Sequence, residues 1–244
     1  DGIPYLESGV SRTYVGEPIA SFYGWKTAGI YQNQGQIDND VNIAEDPRKG
    51  SITPGDVIFV DTNGDKLVDN EDRVNIGDGN PTALLGFYAD FSYKGFNLSL
   101  LFSGALGQEL YDEMMMRGIN APETDGADKV MLERWTGEGS TNKWPRMSTT
   151  EFNQNYRYSE LGLKSGNYVR MKDISFSYSL PATFLDKLKL GQSKVFISGR
   201  NLLTFTSFDG TDVEETGRSN LSRGVIFNNY PTSKTITLGL DISF

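Results

Sequence analysis

The 244 residues include neither cysteine nor histidine, which excludes thiolate chemistry, disulfides, His-based zinc sites and Ser-His-Asp or Cys-His catalysis together. The 23 basic residues set against 32 acidic ones leave a formal charge of -9, which argues against nucleic acid as a partner. Only 37% of residues are hydrophobic and the mean hydropathy is -0.42, with no run near the roughly 18 apolar residues of a membrane-spanning helix. A wall of membrane strands stays open, because alternate residues of such strands face water.

In chain order, Asp1 is neither an initiator nor the start of a leader, so the chain begins either at a mature, processed end or inside a longer protein, and the second is expected. Six segments read as strands: Ile19 to Gln32, Thr82 to Tyr93, Gly95 to Ser103, Asn167 to Leu180, Lys194 to Phe205 and Thr235 to Phe244. Alternation is clearest where Leu85, Phe87, Ala89, Phe91 and Tyr93 oppose Gly86, Tyr88, Asp90 and Ser92. Phe96, Leu98, Leu100 and Phe102 behave alike, as do Ile174, Phe176, Tyr178 and Leu180. Between Gly199 and Leu202 the pattern slips phase, which predicts a bulge.

Between the first two strands, residues Asp38 to Asp78 hold 11 acidic residues against four basic ones. Within that stretch, the run from Asp61 to Asp72 matches the spacing of an EF-hand-type calcium loop. Side-chain oxygens would come from Asp61, Asn63, Asp65 and Asp69, a carbonyl from Leu67 and the closing carboxylate from Asp72. Two positions depart from the pattern: Lys66 stands where a sharp turn favours glycine, and Asp72 has a shorter arm than glutamate. The competing reading makes Asn63-Gly64 a plain tight turn.

The long connection from Gly104 to Gly166 is expected to hold two helices, Gln108 to Arg117 and Asp128 to Trp135, the second capped by Asp125. Met114, Met115 and Met116 read as helix packing, and Trp135, Trp144 and Tyr156 as packing or as a surface on which a sugar could stack. The adjacent carboxylates Glu214 and Glu215 read as solvated loop charge.

Connections alternate in length: Asn33 to Pro81 is long, Lys94 a tight turn, Gly104 to Gly166 long, Pro181 to Ser193 short and Thr206 to Lys234 long. With antiparallel neighbours the long ones all fall on one side, the asymmetry of outer-membrane barrels with long extracellular loops and short periplasmic turns. The last strand, Ile236 to Phe244, puts Ile236, Leu238, Leu240, Ile242 and Phe244 on one face, and a C-terminal Phe is an assembly signal in that class. The fold class expected is all-β, an antiparallel transmembrane β-barrel whose long extracellular loops contain short helices. Six strands are too few to close such a barrel, which starts at eight.

The run Gly16 to Gln32 and the Pro54-Gly55-Asp56 triplet leading into Asp61 to Arg73 resemble SusC/RagA-type TonB-dependent outer-membrane transporters. So do Tyr168 to Ser175, Ser198 to Thr204 and the terminal Phe244. The resemblance implies the C-terminal part of a 22-stranded barrel, here its last six strands, without the plug and the TonB box. It further implies import of oligosaccharides or peptides across the outer membrane of a Gram-negative bacterium. The partners it implies are a SusD-like surface lipoprotein, the rest of the barrel and plug, outer-membrane lipid, and the TonB complex reached through the missing part. Calcium in the acidic loop, a cofactor expected from spacing alone, would stiffen that loop. The alternative class is a surface adhesin or structural β-domain that binds glycans or proteins without transport; no enzymatic activity is expected.

Overall fold

Strands of two kinds form: long ones where large apolar residues recur at alternate positions, and short ones of two to five residues where no such run is sustained. The structure is a computed structural model and describes residues 4–119, 126–148, 153–214, 219–227 and 230–243. In chain order come β1 (Tyr5–Ser8), β2 (Ser11–Tyr14), β3 (Ser21–Gly24), β4 (Thr27–Ile30), α1 (Gln34–Asn39), β5 (Val57–Phe59) and β6 (Val74–Asp78). There follow β7 (Ala83–Tyr93), β8 (Phe96–Leu106), β9 (Glu109–Asp112), α2 (Glu113–Ile119), β10 (Leu163–Ser165) and β11 (Tyr168–Ser179). The chain continues through α3 (Ala182–Leu188), β12 (Ser193–Arg200), β13 (Thr204–Thr206), β14 (Val225–Ile226) and β15 (Thr235–Ile242). Among the described residues no helix is long and apolar enough to cross a membrane.

These elements form two units. One comprises the described residues within Pro81–Gln108, Ser165–Glu214 and Asn229–Phe244, and its long strands run in the order β15-β12-β11-β8-β7, every neighbour antiparallel. At the tight turn, Lys94 (φ 48°) and Gly95 (φ 86°) both take left-handed backbone, and Tyr93 pairs with Phe96 across it. Register carries the alternation across the whole sheet. Phe91 pairs with Leu98, Leu98 with Phe176, Phe176 with Ile197 and Ile197 with Leu238, so one face is apolar from edge to edge. The opposite face runs Asp90, Ser99, Ser175, Ser198, Thr237 along the neighbouring row.

The predicted phase slip is real. β12 stops at Arg200, Asn201 takes φ 52°, and β13 resumes pairing to β11 one residue out of step, Arg170 opposite Thr204. A second bulge adds Lys172 to β11 between the residues paired with Phe102 and Leu101. The sheet has five long strands and the short β13, because the first expected strand, Ile19 to Gln32, is not part of it. That segment divides into β3, paired with β2 and β6, and β4, paired with β5. Two glycines impose the bends: a Cβ on Gly24 would lie 2.2 Å from the Tyr158 carbonyl oxygen, and Gly29 takes φ 113° against the Asn142 side chain.

The other unit comprises the described residues within Asp1–Asn80, Glu109–Lys164 and Glu215–Asn228. One of its cores packs Phe22, Tyr111, Met115, Met116 and Trp144, and another packs Trp25, Ile30, Tyr31, Val57 and Phe59. The methionine run thus serves packing, with Met115 and Met116 each 2% exposed, and Trp144 is core as well. The helix expected from Gln108 begins only at Glu113. Glu109–Asp112 forms β9 beside β10 and β14, and the Asp112 carboxylate accepts from the Met115 N–H (2.9 Å), which starts α2 there. The helix expected over Asp128 to Trp135 is a 3-10 segment, Lys129–Glu133, capped by Asp128 through the Val130 N–H (3.0 Å). The expected cap Asp125 lies outside the described residues, as does Phe244. Nothing in the strand pattern anticipated α3, which occupies the short connection after Pro181 and ends at Lys189 with φ 55°.

Candidate functional site

The acidic turn is built from successive side-chain-to-backbone bonds. Asp61 accepts from the N–H of Gly64 (2.6 Å) and Lys66 (2.8 Å), Asn63 from Asp65 (2.9 Å), and Asp65 from Leu67 (2.9 Å). Asp69 accepts from the Glu71 N–H (2.7 Å). Asp72, wholly buried, closes the turn by accepting from the N–H of Thr62 (2.7 Å) and Asp69 (2.8 Å). Lys66 takes φ 68° at the one position of the loop where the calcium pattern calls for a sharp turn. Slight burial opposes the charge of Asp61, but the amides of Lys66 and Gly64 outweigh it and hold the carboxyl below its usual range. Among the described residues no group of three or more carboxylates stands ready to hold a metal ion.

Residues distant in sequence grip this turn. Trp25 Nε1 donates to the Asp69 carbonyl (2.7 Å), and the Trp25 ring lies under the guanidinium groups of Arg73 (5.4 Å) and Arg157 (5.2 Å). Arg48 donates to the Val68 carbonyl and pairs with Asp46 (2.6 Å), whose burial opposes charge but whose bonds from Arg48 lower its pKa. Beside it, the wholly buried Asp56 accepts from Thr53 N–H (2.9 Å), Arg146 Nε (2.8 Å) and Asn155 Nδ2 (3.1 Å). Gly55 before it takes φ 94°, and a Cβ there would meet the Trp135 ring at 2.5 Å, which is why the Pro-Gly-Asp triplet needs its glycine. Trp135 is therefore spent on packing. Spacing singled out the turn but none of these supports, whose partners lie up to 99 residues away.

In the sheet unit, a polar cluster gathers on Arg170, 5% exposed, at the long-connection end of β11. It pairs with Asp212 (2.7 Å) and Glu214, and donates to Thr204 (2.8 Å) and Thr232 (2.8 Å). Lys172 (2.6 Å) and the Tyr168 hydroxyl (2.9 Å) also bind Glu214, so the expectation of a solvated Glu214 is corrected; Glu215 lies outside the described residues. Burial opposes charge on Asp212, but bonds from Arg170 and Thr232 hold its carboxyl far below the usual range. A cleft of about 220 Å³ opens beside this clamp, lined by Thr204, Thr206, Phe208 and Lys234 among others.

The sheet's apolar face is open. Phe87 is 59% exposed, Tyr93 70% and Leu238 82%. A contiguous apolar surface of this breadth marks a membrane or a partner.

No protein-family model matches the chain. It is 33% identical to TonB-dependent receptor P3 of Formosa agariphila over 94% of its own length and 22% of that protein's. To TonB-dependent receptor SusC of Bacteroides thetaiotaomicron it is 21% identical, over 78% of its length and 18% of SusC. The chain thus spans about a fifth of the curated relatives it matches. Its fold is similar to the structure of the RagAB peptide transporter, at a TM-score of 0.73 and 22% identity, covering all of this chain and 25% of that one.

Proposed function

The chain belongs to the TonB-dependent receptor family as a segment similar to its SusC-type members, and from that premise we propose that it forms part of an outer-membrane transporter barrel. The observation that carries this reading is the sheet whose register keeps one face apolar across five strands while the other is polar. Lipid against the first face and a watery lumen against the second account for both. The edges β7 and β15 pair with strands from the rest of the protein, which removes the aggregation hazard of bare strand edges.

The cargo is an oligosaccharide or a peptide, and a SusD-like lipoprotein docks on the long connections outside the cell. Support comes from the relatives and from the connection parity: Tyr93 to Phe96 and Leu180 to Ser193 close at one end of the sheet, and the long excursions leave from the other. Cysteines at Val41, Leu132 and Tyr230, all exposed, should react with impermeant maleimide on intact cells expressing the complete receptor, and one at Lys94 should not. Labelling at Lys94 alone would invert the topology.

Asp61 to Asp72 takes one Ca²⁺, with Asp61, Asn63, Asp65, Asp69, Asp72 and the Leu67 carbonyl as ligands. The spacing and the left-handed Lys66 support this, and binding would draw the exposed carboxylates together from their amide bonds. Calcium should slow proteolysis at Lys66 and give an anomalous peak inside the turn; identical cleavage with calcium and with chelator would leave a plain turn.

A further inference from the structure

We propose that α3 is an interfacial helix that lays Phe184 and Leu188 into the boundary between headgroups and acyl chains of the leaflet at the tight-turn end of the sheet. The inference rests on the lipid-facing reading of the sheet and adds a second, non-strand contact with the bilayer.

The level of the helix follows from the sheet. At the tight-turn end of the apolar face, Phe96 packs on Tyr178 (4.4 Å between centroids), and Lys94 Nζ lies 5.1 Å from the Tyr93 ring. Aromatic rings with a lysine at their rim are what a strand wall carries at the membrane–water interface. Ala182 follows Tyr178 by four residues, and the Leu180 N–H bonds the Ser193 carbonyl (2.9 Å), closing the connection right at the strand ends. α3 therefore cannot reach far beyond the aromatic level. A headgroup layer roughly 5–7 Å deep spans the same height.

The helix is also built for that place. At 100° per residue, Phe184, Leu188 and Leu185 occupy one continuous arc of about 100°, while Asp186 points away from it. Leu185 is 5% exposed and anchors the helix to the sheet unit, but Phe184 (51%) and Leu188 (53%) stay open. Lys187 flanks the pair and Lys189 ends the helix, supplying positive charge where lipid phosphates lie.

The test uses the complete receptor, freed of other cysteines, with single cysteines at Phe184, Leu188, Asp186 and Leu238 carrying a small fluorophore. Each variant is reconstituted in bilayers containing brominated phospholipid and checked for heat-modifiable, folded barrel. Quenching severalfold stronger at Phe184 and Leu188 than at Asp186, with Leu238 quenched as well, is the expected result. Leu238 quenched but Phe184 no more than Asp186 would overturn the helix assignment alone. Phe184 shielded from aqueous iodide yet untouched by brominated lipid would mean that protein covers it, and would overturn the lipid assignment too. An unquenched Leu238 would bring down the lipid-facing sheet itself.

Discussion

Asp72 holds together a turn that, apart from the buried Val68, is exposed or half-buried. Its two oxygens satisfy the Thr62 and Asp69 amides from inside the protein, so Asp72→Ala strands two donors at about 1–3 kcal/mol each. Faster proteolysis at Lys66 with unchanged barrel heat-modifiability is the expected result for that variant; a globally unfolded receptor would mean that the turn is not a local unit. Asp61 gives a pH signature. Its carboxyl titrates below the unfolded value, so the stability it lends is complete above about pH 4 and is lost as the pH falls through the lower, folded value. Hydrogen exchange across residues 61–72, corrected for intrinsic rates, should stay constant from pH 8 to pH 5 and rise only below. A rise between pH 7 and 6 would contradict this, and with no histidine in the chain nothing else in it titrates there by default.

At the scale of an element, the strands are tested by their parity. Leu240 pairs with Val195 on the apolar face, and Asp241 faces Lys194 on the polar one, 3.7 Å away. Leu240→Arg sets a charge on the apolar face and should reduce inserted, heat-modifiable receptor, whereas Asp241→Arg should reduce it far less. Equal losses would sink the face assignment. The long strands could be read from sequence because their two faces differ along most of their length, as Phe91, Leu98, Phe176, Ile197 and Leu238 against Asp90, Ser99, Ser175, Ser198 and Thr237 show, which is the pattern of period 2. Ile19 to Gln32 misled because its bends come from outside it: the Tyr158 carbonyl against Gly24 and the Asn142 side chain against Gly29. Gln108 to Arg117 misled because Tyr111, fully buried, is claimed by a parallel bridge to Val225, a pairing with no local signal. The same holds for the candidate site. The turn from Asp61 to Asp72 is local and was legible, but Trp25, Arg157 and Asn155 reach it or its neighbour Asp56 only through the tertiary fold.

On the scale of the whole molecule, two demands compete in one chain. The sheet unit leaves large side chains bare on one side and strand edges unpaired at both ends, while the other unit buries its apolar residues in cores of its own. A bare apolar face of this breadth marks a membrane or a partner, and the open edges β7 and β15 mark places where further strands pair. The Arg170 clamp ties the connection after β13 to β11 at the long-connection end of the sheet. A cryo-electron-microscopy structure of the complete receptor in a lipid nanodisc tests this most directly. The account predicts that β7 and β15 each pair with a strand from the rest of the receptor to close a barrel, with lipid density against Phe87, Phe176 and Leu238. A sheet covered on that face by another layer of protein would contradict it.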